Sequence, residues 1–131
     1  MLLRTFTPQP MANPFMTKGR VVLVPFPFDD MTASKVRPAV CLTNPIGPYR
    51  HVVVAFVSSQ MQANLVATDV VLEPQSKDFG ATGLRVASVL RLHRLVTLTT
   101  ALIHRELGKL SQAWQDEVDQ KLTVLFGLKG S

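Results

Sequence analysis

The feature that most limits what this chain can fold into is the shortness of its apolar runs. Between residues 20 and 109 the hydrophobic residues come in short stretches that are rich in valine and separated by proline, glycine and polar residues. Such stretches are typical of strands rather than helices. We predict strands at residues 20–28 (ending or becoming an edge near Pro25), 39–43, 51–58, 68–72, 87–92, 96–98 and 103–109, with loops at 29–35, 44–48 and 74–83. The apolar run 51–58 is expected near the centre of the sheet.

The hydrophobic period changes towards the C-terminal end. Ser111 is a suitable helix N-cap, and Gly127 is suitably placed to end the helix that follows. The apolar residues that recur at helical spacing between them are Trp114, Val118, Leu122, Leu125 and Phe126. Six or so short strands followed by one amphipathic helix predict a mainly β fold, a small β-barrel with the helix laid on it.

The length of 131 residues suits one domain with a single core. Residues 1–16 contain three prolines and no sustained apolar stretch. We therefore expect a disordered extension or a wrongly assigned start there, without a secretory signal, and place the domain at 17–131. The lone Cys41 lies among aliphatic residues, which predicts a buried thiol and fits a reducing cytoplasm. No apolar run is long enough to suggest a membrane span.

The chain carries a formal net charge of +5 at pH 7. Such a surplus on a small domain indicates a polyanion or an acidic protein as partner, although a generic soluble surface would explain it equally well. His51, His93 and His104 lie far apart in the sequence, without a cysteine or carboxylate cluster at metal-ligand spacing. No glycine-rich phosphate loop is present. We therefore expect function without a metal or another cofactor.

Lys35 and Arg37 place two cations where a polar loop meets a predicted strand. Pro38 restricts the preceding Arg37 to an extended conformation, so the guanidinium leaves the strand at a fixed place. The pattern fits a surface arginine at the end of a barrel, and it fits a group that binds an anion.

Two further segments carry polar side chains on or beside predicted strands. Ser58, Ser59 and Gln60 end the central apolar run, where hydroxyls can bind a phosphate oxygen or simply terminate a sheet. In the third segment, strand alternation places Arg91 and His93 on one face. That face is either a solvent-exposed polar stripe or a surface that meets an anion.

Together these segments resemble the MazF/PemK toxin family. The similar segments follow one another in the family's order and span roughly residues 17–128. They are Lys-Gly-Arg-Val-Val-Leu-Val with Pro-Phe-Pro-Phe (18–28), Arg-Pro-Ala-Val (37–40), Val-Ala-Phe-Val-Ser-Ser (54–59), Ser-Val-Leu-Arg-Leu (88–92) and Leu-Gly-Lys-Leu-Ser (107–111). No single motif is specific, but the ordered set is.

The resemblance implies an SH3-like β-barrel that forms a homodimer and acts as a metal-independent endoribonuclease, the toxin of a type II toxin–antitoxin pair. The partner would be an acidic antitoxin that lays a partly disordered segment across the RNA groove. By position, Arg37 matches the catalytic arginine, Ser58 the hydroxyl residue that works with it, and Arg91 a second arginine that acts on the phosphate. Further contacts to single-stranded RNA are expected from Lys35, Ser59, Gln60 and Arg94.

The implied reaction is attack of an RNA 2′-hydroxyl on the adjacent phosphate, which leaves a 2′,3′-cyclic phosphate and a 5′-hydroxyl. It needs a base, donors that stabilise the charge of the phosphorane, and an acid for the leaving oxygen. Arg37 and Arg91 suit the phosphate because a guanidinium offers a planar fork of donors. His93 stands where relatives often have aspartate, and histidine is a suitable proton-transfer group near neutral pH. The identity of the general base stays open.

Two alternatives to this function remain. A toxin of the CcdB kind uses the same barrel to bind DNA gyrase through a Trp-Gly-Ile-like C-terminus, whereas Trp114 here lies at the start of the predicted helix as a candidate core residue. The histidine at position 93 also leaves room for a catalytically silent module that binds RNA or antitoxin. Arg20, where relatives usually have an acidic residue, is expected to affect only folding or surface charge.

Overall fold

The computed structural model describes residues 16–25, 35–60 and 64–129. This part of the chain forms six strands and one α-helix. They are β1 (Arg20–Pro25), β2 (Val36–Cys41), β3 (His51–Ser58), β4 (Asp69–Leu72), β5 (Ser88–Thr99), β6 (Arg105–Lys109) and α1 (Gln112–Leu125), with 3₁₀ turns at Gly80–Thr82 and Thr100–Leu102. The predicted extension, apart from Met16, lies outside the described residues, as do 26–28 of the first predicted strand and 29–34 of the loop after it.

The six strands form one curled antiparallel sheet in the order β4-β5-β3-β2-β1-β6. β3 lies inside this sheet, between β2 and β5, as its continuous apolar run predicts. β1 pairs with β2 on one side and with β6 on the other, so the first and last strands of the described chain are neighbours. A mainly β fold with a C-terminal helix is thereby confirmed.

Both faces of the sheet bury apolar side chains. On β1, Val21 belongs to one buried cluster, whereas Val22 and Val24 belong to a second. The first cluster includes Val118 of α1, and the second includes Ile103 from the turn between β5 and β6. Burial on both faces explains why the strands have continuous apolar runs rather than a strict alternation of apolar and polar residues.

The helix α1 begins and ends where the sequence predicts. The Ser111 Oγ accepts a hydrogen bond from the main-chain nitrogen of Trp114 at 3.2 Å, and Gly127 has the left-handed conformation (φ 66°) that follows a helix end. Val118 is buried against the sheet, and Trp114 and Leu122 pack partly buried beside it. Within the described chain, no helix is long and apolar enough to cross a membrane.

The segments predicted as two strands, at 87–92 and 96–98, form the single strand β5. The reason for the difference is a break of register in the ladder between β3 and β5. Phe56 of β3 lies opposite four residues of β5, 91–94, whereas the pairing is one to one on either side of this point. Such an insertion bends a strand and redirects its side chains without ending it.

β2 lies earlier in the chain than predicted, starting at Val36 and ending at Cys41. Residues 36–40 pair with β1, but among the described residues only 39–41 pair with β3. Pro38, which has no N–H to donate, lies in the half of β2 without a β3 partner. The sheet is therefore open between the first half of β2 and the end of β3.

Cys41 is a buried free thiol, as predicted, and is only 1% exposed. Burial raises the pKa of this thiol to about 12, and the negative charge of Glu106 adds to the rise while a hydrogen bond with Thr17 opposes it. A thiol that stays protonated at neutral pH is a poor nucleophile. Cys41 therefore belongs to the core.

Two glycines let the loop before β5 pack closely against β6. A Cβ atom at Gly108 would lie 2.1 Å from the main-chain oxygen of Ala81, and one at Gly83 would lie 2.1 Å from that of Leu107. Gly83 also has φ +75°, a conformation that other residues adopt at a cost. Leu107 is the extra residue of a bulge in the ladder between β1 and β6. This backbone contact fixes the segment that leads into β5.

Candidate functional site

A cleft of about 680 Å³ opens where β2 and β3 separate. Its walls come from the start of β2, the end of β3 with the residues after it, and the segment that leads into and forms the first half of β5. Its polar lining residues are Arg37, Ser58, Ser59, Gln60, Arg85, Ser88, Arg91 and Arg94. Four of these are arginines, and none of the described residues that line the cleft is acidic.

Arg37 is positioned by the half of β2 that has no β3 partner. It pairs with Val24 of β1, and it lines the cleft from the side of β2. The following Pro38 pairs with Leu23, so both residues are extended, as the Arg-Pro sequence predicts. Lys35 precedes β2 and is exposed, and it does not line the cleft.

Ser58 ends β3 at the opposite wall of the cleft. Its Oγ accepts a hydrogen bond from the main-chain nitrogen of Gln60 at 3.1 Å, which fixes the turn after the strand. The hydroxyl hydrogen of Ser58 can still be donated, because that bond uses an oxygen lone pair. Ser59 and Gln60 are exposed and line the cleft beside it.

The register break in β5 brings two arginines to the same cleft. In a regular strand, positions 91 and 94 would point to opposite faces. The extra residues opposite Phe56 bend β5, and both Arg91 and Arg94 line the cleft. His93 is exposed between them and does not line it.

Asp69 is a buried carboxylate that the sequence analysis missed. It pairs directly with Arg91 in the β4–β5 ladder. Its side chain is 1% exposed, and its Oδ1 lies 3.0 Å from Nε of Arg91 and 4.0 Å from Nδ1 of His93. The contact with Arg91 is an ion pair whose geometry does not make a hydrogen bond. The only signal in the sequence is a carboxylate at the start of an apolar strand, and its partner depends on the strand register.

Arg85 and Ser88 also line the cleft and were not predicted. Ser88 is buried, and its hydroxyl donates to the main-chain oxygen of Val86 at 2.8 Å. Arg85 lies in the loop that Gly83 and Gly108 hold against β6. In the sequence it looks like any surface charge, because only the packing of that loop places it beside the cleft.

Six of the eight side chains predicted for the site line one cleft, namely Arg37, Ser58, Ser59, Gln60, Arg91 and Arg94. Lys35 and His93 lie outside its lining. The described residues contain no group of three or more histidine, cysteine, aspartate or glutamate side chains that could hold a metal ion. Guanidinium and hydroxyl donors that converge in this way suit an anion with several oxygens, such as a phosphodiester.

A family model described as PemK-like, MazF-like toxin of type II toxin–antitoxin system matches residues 17–126. No curated protein matches the chain. The match extends from β1 to the end of α1, so it includes every wall of the cleft.

Several solved structures share the fold. The Mycobacterium tuberculosis toxin MazF-mt6 is 19% identical with a TM-score of 0.63, and the match covers 85% of this chain and 99% of that one. A MazE–MazF crystal structure from Deinococcus radiodurans is 19% identical, with a TM-score of 0.64 and coverages of 88% and 99%. A mycobacterial endoribonuclease in complex with its cognate antitoxin is 17% identical, with a TM-score of 0.61 and coverages of 88% and 99%. At these identities the likeness shows the fold.

Proposed function

The chain belongs to the family of PemK-like, MazF-like toxins of type II toxin–antitoxin systems, and we propose that it is an endoribonuclease that cuts single-stranded RNA without a metal ion. The observation that carries this proposal is the set of four arginines in one cleft, placed beside three serines. Guanidinium forks bind phosphate oxygens in pairs, and hydroxyls add single donors. These groups can neutralise the charge of a phosphodiester themselves.

The size and lining of the cleft are compatible with a single strand as substrate. A cleft of about 680 Å³ can take nucleotides whose bases are splayed out, which is how single-stranded RNA is recognised. The lining also includes apolar side chains, among them Val36, Leu84 and Val86, against which a base can rest. In this proposal Ser59, Gln60, Arg85 and Arg94 hold the RNA, and Lys35 contacts it outside the cleft.

The proposed step is a transesterification within the RNA. The ribose 2′-oxygen attacks the adjacent phosphorus and forms a new P–O bond, while the bond from phosphorus to the 5′-oxygen of the next nucleotide breaks. The proton of the 2′-hydroxyl passes to a base, and a second proton reaches the leaving 5′-oxygen. The products are a 2′,3′-cyclic phosphate and a 5′-hydroxyl, without any co-substrate.

Each side chain has a part in this step. Arg37 from β2 and Arg91 from β5 stabilise the charge that develops on the phosphorane, and Ser58 donates to the same oxygens. We assign proton transfer to His93, which lies outside the lining of the cleft but is exposed on β5 between Arg91 and Arg94, two residues that line it. Asp69 is 4.0 Å from its Nδ1.

The partner we propose is an acidic antitoxin. The formal charge of +5 and the arginines of the cleft favour a segment rich in carboxylates. Bound across the cleft, such a segment would compete with RNA for the same guanidinium groups. We also propose that the chain forms a homodimer.

The experiment that tests the function is incubation of pure protein with a long single-stranded RNA in the presence of EDTA. Cleavage that leaves 2′,3′-cyclic phosphate and 5′-hydroxyl ends supports the proposal. Intact RNA that is nevertheless bound would point to the catalytically silent module. Intact RNA together with inhibited DNA supercoiling would point to a gyrase-binding toxin. Cleavage that EDTA abolishes would overturn the metal-independent mechanism.

A further inference from the structure

We propose that Asp69 is the positioning residue of this site: its buried carboxylate holds Arg91 at the Nε side and directs the rest of the guanidinium into the cleft. The inference rests on the proposed function, because it assigns a role within the same RNA-cutting site. Asp69 does not line the cleft itself. Its effect on the reaction therefore passes through Arg91.

The burial of the two charges makes their pairing obligatory. The Asp69 side chain is 1% exposed and that of Arg91 is 16% exposed, with 3.0 Å between Oδ1 and Nε. Removing one member of a buried ion pair is strongly destabilising, because it leaves an uncompensated buried charge. Asp69 is the only ion-pair partner of Arg91 among the described residues. Folding therefore selects conformations of Arg91 that keep Nε at the carboxylate.

Asp69 is anchored independently of Arg91. Its Oδ2 accepts from the main-chain nitrogen of Val66 at 2.9 Å, and its own main-chain nitrogen donates to the Val66 oxygen at 3.0 Å. Its main-chain oxygen accepts from Nζ of Lys121 on α1 at 2.7 Å, and Lys121 is paired in turn with Glu117 at 2.8 Å. The carboxylate is thus fixed by a turn, a strand and the helix. Asp69 therefore positions Arg91, rather than the reverse.

The guanidinium nitrogen that faces Asp69 determines which nitrogens of Arg91 remain for the substrate. A guanidinium has one N–H on Nε and four on the two terminal nitrogens. Because Nε faces Asp69, the terminal nitrogens remain for a phosphate in the cleft that Arg91 lines. The ion pair lacks hydrogen-bond alignment in this structure. Catalytic contacts of this kind commonly tighten when the substrate binds.

The same oxygen also lies near His93. Oδ1 of Asp69 lies 4.0 Å from Nδ1 of His93, so one carboxylate faces both polar side chains that β5 presents at positions 91 and 93. At 4.0 Å the contact with His93 is too long for a hydrogen bond, so Asp69 acts on His93 only as a nearby negative charge. The positioning role therefore concerns Arg91.

The test is Asp69→Asn, which keeps the shape of the side chain and removes its charge. We expect kcat for RNA cleavage to fall about 10²-fold, the size of effect seen when a catalytic group is misplaced by about 1 Å, while KM changes only a few-fold. In an Arg91→Ala background the same change should cost almost nothing more, because Asp69 acts through Arg91. A kcat for Asp69→Asn within two-fold of the parent, or an equal further loss in the Arg91→Ala background, overturns the proposal.

Glu106→Gln is the matched control. It breaks the ion pair between Arg20 and Glu106, which has a 2.8 Å contact and side chains that are 24% and 16% exposed. This pair lies on β1 and β6, and neither residue lines the cleft. A stability loss without a change in kcat is expected for Glu106→Gln. If both variants lose kcat equally, Asp69 has only a structural role and the proposal is wrong.

A second readout separates this proposal from the proposed function. The ¹⁵Nε–¹Hε NMR signal of Arg91 reports the environment of Nε without any RNA. It should shift in Asp69→Asn and stay in place in Glu106→Gln, and an unchanged signal in Asp69→Asn overturns the positioning role. A parent protein that cuts no RNA overturns the proposed function, and the NMR signal then still decides the role of Asp69.

Arg91→Lys covers the case in which Asp69→Asn does not fold. It keeps a positive charge beside the buried carboxylate, but one ammonium cannot face Asp69 and hold a phosphate with a separate fork. We expect a loss in kcat close to that of Arg91→Ala. Full activity in Arg91→Lys overturns the proposal.

Discussion

Arg37 occupies the half of β2 without a β3 neighbour, so its side chain contributes to the cleft and little to the core. We predict that Arg37→Ala lowers the rate of RNA cleavage about 10²–10³-fold, the usual cost of removing one donor to a developing oxyanion. Its thermal unfolding should stay close to that of the parent. Gel-based cleavage assays together with circular dichroism measure both quantities.

The matched control for Arg37→Ala is Lys109→Ala. It removes one positive charge from an exposed position on β6 that does not line the cleft, so cleavage should stay within a few-fold of the parent rate. Equal losses in the two variants would mean that only the overall charge matters. Full activity in Arg37→Ala would refute its catalytic assignment.

His93 provides a second prediction at the scale of one residue. A base must be neutral to accept a proton, so cleavage should fall on acidification, and His93→Ala should remove this acid limb along with most of the rate. His93→Asp should restore part of the rate with the limb at lower pH, because carboxyl groups lose their proton at lower pH than imidazoles. If His93→Ala keeps the parent's rate and pH profile, the histidine is only a neighbour of Arg91.

Cys41 gives a prediction about stability. Its pKa is raised from 9.0 to about 12 by burial, so the unfolded chain loses the thiol proton first as the pH rises. This contribution to the free energy of unfolding is fully present below pH 9 and falls above it, with a slope of at most about 1.4 kcal/mol per pH unit. Urea unfolding of the parent and of Cys41→Ala should therefore converge between pH 9 and 11. A constant difference across that range would contradict the burial effect.

At the scale of elements, the contact between the 80–83 turn and β6 leaves no room for a Cβ atom at Gly83 or Gly108. Gly108→Ala would place a Cβ 2.1 Å from the Ala81 main-chain oxygen, so the two segments must separate. We predict a loss of about 1–3 kcal/mol in stability and slower cleavage, because the displaced loop carries Arg85. Gly80→Ala, in the same turn with nothing within 4 Å of the new Cβ, should change neither. Chemical denaturation and cleavage assays measure the two effects.

The elements that the sequence predicts well are those whose signals are local. The bounds of β3 and the Ser111 cap of α1 follow from an apolar run and from one side chain, and both are confirmed. The continuity of β5 was not predictable, because its register break depends on how β3 pairs with it. Asp69 was missed for the same reason, since only the β4–β5 register places it opposite Arg91. Six of the eight side chains that the ordered motifs selected line one cleft. Lys35 and His93 lie outside its lining, because their placement depends on strand geometry that the motifs do not contain.

At the scale of the whole molecule, we predict a homodimer. Val124, Phe126 and Leu128, at the end of α1 and beyond, are 66%, 57% and 63% exposed, and apolar surface at one end of a helix is a candidate for burial against a second copy of the chain. Light scattering at micromolar concentration should give twice the 14.4 kDa of the chain. A monomer mass at that concentration would contradict the prediction.

Because β1 pairs with β6, the sheet can be completed only late in synthesis on the ribosome. Until Arg105–Lys109 has emerged, one edge of β1 has no neighbour, and Val21 lacks the Val118 side chain that shares its cluster. A nascent chain at that stage already contains Arg37 and Arg91, but it has no closed core to hold them in place. The proposed ribonuclease therefore becomes active only once the residues up to Val118 have left the ribosome, and this is the earliest moment at which the proposed antitoxin is needed.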